Sequence, residues 1–209
     1  MKMKINLRKI YEAKPCHEFW RKLLDGLELD PNMKEIPDLD VPILFILENN
    51  GWRDTAWCFR LIQGYDREIG IFSTWCVKRV EHLMRDDRSK NALAVAYRYA
   101  KGEASIDELN AARDDAADAH AAEAADRAAS DLDVAAARAA FYAVYAVDAD
   151  FYASADDAYA YAPRAASAAS AFASRASRAS EEEEEEKQIE EFKRMLDCIE
   201  RGEQYDINM

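Results

Sequence analysis

The sequence predicts an all-α fold: a compact bundle of short helices over 1–102, long alanine-rich helices over 103–162, and a peripheral C-terminal helical extension over 163–209. Three observations carry this. The bulky apolar residues of the first half recur at helical spacing. From Glu103 to Ser180, 33 of 78 residues are alanine, the strongest intrinsic helix former. Near the end, Ile189, Phe192, Leu196 and Ile199 fall at i, i+3, i+7 and i+10, one narrow helical seam.

Asn6 to Ala13 reads as a short first helix, stopped by Lys14-Pro15. Pro15 suits the first turn of the next, Cys16 to Leu27, whose Phe19, Trp20, Leu23, Leu24 and Leu27 share one face. Asp30-Pro31-Asn32 and Pro37 mark Glu28 to Asp40 as a loop. Asp40 is placed to cap a central helix, Val41 to Glu48, ended by Asn49-Asn50-Gly51. Asp54 to Gln63 follows with Trp57, Leu61 and Ile62 inward, and then Ile69 to Met84 with Phe72, Trp75, Cys76, Val80 and Leu83. Asp86 to Ser89 is a turn, and Lys90 to Lys101 a helix on Leu93, Ala96, Tyr97 and Ala100.

Ser105-Ile106-Asp107-Glu108 fits the S-x-x-E capping box, so a helix starts there and opens the alanine-rich part. Phe141, Tyr145, Tyr152 and Tyr159 form an aromatic stripe, which reads either as a seam packed on the body or as a tyrosine-rich binding strip. Pro163 interrupts that part. Six glutamates, Glu181 to Glu186, suit a helix N-terminus behind Ser180, while Lys193, Arg194 and Arg201 favour the other end. Gly202 closes this helix, and the tail after it is expected to fray.

Charge divides the chain. The whole carries −13, yet residues 1–102 sum to +3 and residues 103–209 to −16. A polyanionic half repels nucleic acid and anionic membrane and attracts basic protein surfaces. Asp114, Asp115, Asp118, Glu123, Asp126, Asp131 and Asp133 fall within 20 residues, offset in that window only by Arg127. Along a helix that is about one net negative charge per 5 Å, against about one per 3.4 Å on a DNA strand, so nucleic-acid mimicry is physically available. These seven acids are the candidate partner-binding residues.

Chemistry is sparse. The sequence has no P-loop, GxGxxG, GxSxG or HExxH motif. His17, His82 and His120 lack a histidine or cysteine at i+3 or i+4, so no metal or cofactor is expected. Carboxylate pairs such as Asp86/Asp87, Asp114/Asp118 and Asp156/Asp157 read as solvated surface pairs. The chain therefore reads as a non-enzyme. Cys16, Cys58, Cys76 and Cys198 form no CxxC pair, which favours free thiols and a reducing cytoplasm. The start, MKMKINLRKIYEA, lacks the apolar run of a signal peptide, and no stretch is apolar enough for a membrane span.

Leu47-Glu48-Asn49-Asn50-Gly51, then Asp54-Thr55-Ala56-Trp57-Cys58-Phe59-Arg60, then Arg88 to Leu109 leading into the alanine-rich helix resemble the immunity-five-like group of bacterial and phage immunity proteins. Lys14-Pro15-Cys16 resembles the first cysteine of that group. The resemblance covers about 6 to 150 and implies an all-helical protein that neutralises a toxin or nuclease. Its motifs are structural, and it supplies no active-site residues. After Pro163 the chain departs from that pattern.

The leading functional expectation is an acidic inhibitor of a protein with a basic surface: a toxin, a nuclease or a phage-defence effector. One alternative is a phage-encoded anti-defence protein that sequesters a nucleotide or other small ligand in an aromatic groove, with Tyr142, Tyr145, Tyr152 and Tyr159 stacking and Arg138 or Arg164 meeting phosphate. Another is a structural scaffold. The 187–201 seam is expected to form an antiparallel homodimer, setting the glutamates of one copy opposite Lys193, Arg194 and Arg201 of the other.

Overall fold

The computed structural model describes residues 3–59, 61–62, 64–79, 81–125, 138–143 and 181–207, and it is all-α apart from one small two-stranded sheet. The helices are α1 (Leu7–Glu12), α2 (His17–Gly26), α3 (Ile43–Asn50), α4 (Trp52–Phe59), α5 (Asp66–Lys78), α6 (Asp87–Ala100), α7 (Ile106–Ala125) and α8 (Glu181–Arg201). A further helical stretch covers 138–143.

The sheet corrects the expectation at both its strands. β1 (Lys4–Asn6) pairs antiparallel with β2 (Asp40–Pro42), with Ile5 opposite Val41. Both of those side chains are buried. Asn6 is therefore the cap of α1 rather than its first residue, its side chain accepting the Arg8 N–H at 3.0 Å. Asp40 belongs to β2, and α3 starts at Ile43 behind Pro42. Three-residue strands are too short to display a period of two, so apolar spacing cannot reveal them.

Helix starts follow short polar side chains. The Cys16 sulfur accepts the Phe19 N–H at 3.4 Å to open α2. Asp86, expected in a turn, caps α6 by accepting the Arg88 N–H at 2.8 Å. α3 and α4 are separated by Gly51 alone, at φ 94°, a conformation that favours glycine. α4 thus begins two residues before Asp54, and its buried face is Trp52, Thr55, Ala56, Cys58 and Phe59. Trp57, Leu61 and Ile62, expected inward, are only partly buried. Tight turns put Leu61 and Ile62 there, their N–H groups bonding Cys58 O and Phe59 O at 2.9 Å. α5 starts at Asp66, and a short 3-10 turn, Glu81–Leu83, follows it in place of a continuous helix to Met84.

The terminal helix lies in the core and not at its periphery. Phe192 is fully buried, edge-on to Phe72 at 4.9 Å and to Phe59 at 5.8 Å. Met195, Leu196 and Cys198 are buried beside it, and Ile189 and Ile199 pack partly buried on the same cluster. The seam expected to pair with a second copy is thus covered by the chain's own α3, α4 and α5.

The tail is pinned rather than frayed. Tyr205 is fully buried, and its hydroxyl donates to Glu191 Oε1 at 2.8 Å. Arg67 donates to the Tyr205 carbonyl at 2.7 Å, and Arg194 lies over the Tyr205 ring at 4.8 Å. Tyr97 donates to Asp206 Oδ1 at 2.6 Å and lies 2.8 Å from the Ile207 carbonyl. Burial pushes the Tyr205 phenol up, with Glu191 adding to the shift. Burial also opposes ionisation of Asp206, but hydrogen bonds from Tyr97 and the Ile207 N–H outweigh it and leave that carboxyl below its ordinary value.

Candidate partner-binding surface

α7 divides its residues by size and charge. The Ser105 hydroxyl accepts the Glu108 N–H at 3.2 Å, and Glu108 returns to the Ser105 N–H at 2.8 Å, so the capping box forms as expected. Those bonds, the Ser105 backbone N–H first and then Arg98, hold the Glu108 carboxyl below its usual range. From that start, Leu109, Ala112, Ala116 and Ala119 turn inward and are buried. α6 packs along this face, joined to α7 at the turn by an Arg98–Glu108 ion pair of 2.9 Å. Small side chains on one face let the two helix axes approach closely.

The opposite face is acidic. Asp107, Asp114, Asp115 and Asp118 are all exposed. Arg113, the cation within this run, is turned inward and buried, so its guanidinium is not offered on the acidic face. At the edge of the face stands Arg88 of α6, engaged with Asp86 at 2.7 Å and also within the field of Asp118 and Asp115. The structure therefore brings together Asp114, Asp115 and Asp118 of the seven predicted acids. Glu123 lies on α7 with its side chain outside the described set, and Asp126, Asp131 and Asp133 lie outside the described residues.

The predicted aromatic groove is described only in its first turn. Arg138 is exposed and Tyr142 half-buried, while Ala139, Ala140 and Ala143 are buried. Phe141 stacks on His120 of α7, with centroids 6.0 Å apart and planes at 29°, and Tyr142 packs on Phe141 at 5.7 Å. Burial lowers the His120 pKa, and Arg138 adds to that shift. This first turn is a packing seam between helices. Tyr145, Tyr152, Tyr159 and Arg164 lie outside the described residues.

Among the described residues no group of three or more His, Cys, Asp or Glu is arranged to hold a metal ion, and no helix is long and apolar enough to cross a membrane. No protein-family model, curated protein or solved structure matches this chain.

Two surface features escaped the sequence reading. Tyr11 and Trp20 pack at 5.3 Å into a shelf, with Tyr11 51% exposed, beside Lys14 and His17. A second feature is a cleft of about 230 Å³ where the starts of α2 and α4 meet, lined by Glu18, Lys22, Trp52, Arg53, Asp54 and Glu185 among others. Asn50 anchors it, its amide donating to the Phe19 carbonyl at 3.1 Å and to Asp54 Oδ2 at 3.2 Å. Next to it, Asn49 donates to the Lys22 carbonyl at 2.8 Å, and a side chain at Gly26 would collide with Asn49. Burial raises the Asp54 pKa, against the lowering effect of the Asn50 hydrogen bond. Asn49-Asn50-Gly51 is a helix terminator by composition, and that reading hides its role in the cleft.

Proposed function

We propose that this chain is a non-enzymatic, acidic binding protein that neutralises a partner with a basic surface, such as a nucleic-acid-acting toxin or a defence effector. One observation carries the reading: α7 spends its alanine-rich face, with Arg113 beside it, on the chain's own core and holds Asp107, Asp114, Asp115 and Asp118 exposed on the other. A helix that only needed solubility would be served by acids and bases interspersed. Concentrated negative charge instead steers a basic partner and raises its association rate. The −16 sum of residues 103–209 extends that field. The resemblance to immunity proteins over 6 to 150 agrees in kind, and free cysteines fit a cytoplasmic setting.

Affinity capture on the full chain, at low and at high salt, tests the proposal when paired with the triple variant Asp114→Asn, Asp115→Asn, Asp118→Asn. A basic protein should be retained at low salt, released at high salt and lost by the variant. Duplex DNA in excess should displace it if the acidic face imitates a phosphate backbone. Retention that ignores both salt and the three substitutions would defeat the proposal.

A further inference from the structure

The cleft at the start of α4 has groups for which the fold itself supplies no use. Trp52 is fully buried, forms part of the cleft wall, and its indole Nε1–H has no hydrogen-bond partner. An indole N–H is a donor only, so nothing but an acceptor can satisfy it. Two cations stand beside it. The Arg53 guanidinium lies 5.5 Å from the Trp52 ring, and Lys22 Nζ donates to the Asn50 carbonyl at 3.4 Å. Gly51, which precedes α4, also lines the cleft and adds no side chain to it. These groups together call for a carboxylate.

The rest of the lining narrows the ligand. Glu18 and Glu185 oppose a multiply charged anion such as phosphate and favour a ligand that also carries an ammonium group. Asp54 adds a third carboxyl to the wall, its pKa raised by burial against the lowering effect of the Asn50 hydrogen bond. The volume, about 230 Å³, lies below the roughly 300–1,000 Å³ of sites for drug-sized ligands, too small for a nucleotide. We infer that the cleft binds a small α-amino acid as its zwitterion, with the carboxylate on Trp52, Arg53 and Lys22 and the ammonium on Glu18 and Glu185.

The indole resonances of the full, nitrogen-15-labelled chain provide the test. The chain has 4 tryptophans, and Trp52→Phe identifies the cross-peak of interest. Titration with L-alanine should move that cross-peak and saturate in the millimolar range, and it should raise the melting temperature. Acetate should move it less, and methylammonium and inorganic phosphate should leave it in place. Arg53 and Lys22 are exposed, so Arg53→Ala and Lys22→Ala keep the fold, and each should weaken L-alanine about tenfold. A Trp52 cross-peak that ignores L-alanine would overturn the inference. So would a response to phosphate as large as that to L-alanine, or undiminished binding by Arg53→Ala. None of these outcomes bears on the acidic face of α7, whose substitutions leave the cleft intact.

Discussion

Replacing Phe192 by alanine measures how far the terminal helix belongs to the core. The ring is fully buried and sits edge-on to Phe59 at 5.8 Å and to Phe72 at 4.9 Å. Truncating a buried phenylalanine costs about 3–5 kcal/mol through lost transfer energy and the cavity left behind. Each aromatic pair holds about 0.5–1.5 kcal/mol beyond burial, which places this site in the upper part of that range. For a chain of this size, about 1 kcal/mol shifts the melting temperature by about 2–4 °C, so a drop of order 10 °C is expected. Urea unfolding followed by circular dichroism gives the free energy, and an unchanged slope with denaturant confirms that the same surface is exposed. Phe192→Leu keeps most of the volume and should recover more than half of the loss. A cost under about 1 kcal/mol would refute the reasoning, because a peripheral aromatic ring costs no more than that. Light scattering should give the same monomeric mass for the parent and both variants, since the seam is spent within the chain.

Tyr205→Phe deletes the hydroxyl that donates to Glu191, and unfolding should show a loss of about 1.5–3 kcal/mol, the range for a hydrogen bond to a charged group; no change would mean that the ring alone holds the tail. Asp206 has a folded pKa below its ordinary value, so its contribution is present above about pH 4 and lost as pH falls through the folded value. Asp206→Asn should therefore flatten the acid limb of the stability curve, and an identical acid limb would count against the clasp with Tyr97. The triple substitution on α7 should change stability by no more than about 0.5 kcal/mol, with relief of the Asp114–Asp118 repulsion a small gain. A large loss in the same melting experiment would make those aspartates structural.

Period and capping chemistry make most of the helices legible in the sequence. Ser105 and Glu108 announce α7, and Leu93, Ala96 and Ala100 announce the inner face of α6, because local bonds and repeat spacing are written in consecutive residues. What stayed hidden depends on partners distant in sequence. Ile5 finds Val41 across a loop, and Phe192 finds Phe59 and Phe72 from the far end of the chain. Tyr205 follows a terminating glycine, which reads as a loose end, and only its contacts with Arg67, Glu191 and Arg194 show otherwise. Of the candidate surface, the acidic face was legible because exposure of aspartate needs no tertiary partner. The inward turn of Arg113 was not, since an arginine among alanines reads as solvated. The cleft was missed because its polar residues come from four separate helices, α2, α3, α4 and α8, that are distant in sequence.

Asp54 offers a sharper question, because its carboxyl is held against its own preference. Burial raises its pKa, and the Asn50 amide offsets only part of that. A carboxyl whose folded pKa exceeds its unfolded value costs stability above the unfolded value. The cost grows as pH rises from about 4 through the folded value and then levels off. Asp54→Asn keeps the size and still presents an oxygen to the Asn50 amide, but it has no charge to desolvate. The variant should therefore be as stable as the parent near pH 4 and more stable at pH 7, the difference growing between those limits. Melting temperatures measured across that range settle it, and a variant less stable than the parent at pH 7 would show that the ionised carboxylate is needed by the fold. If the gain appears, the parent retains an acid that burdens folding at the one place where Trp52 lacks an acceptor and Arg53 and Lys22 converge. Such local costs concentrate where a site serves something other than stability. A stronger L-alanine response from the same Asp54→Asn variant would tie the cost to the cleft, since the substitution removes a negative charge that opposes the ligand's carboxylate and leaves the shape of the site.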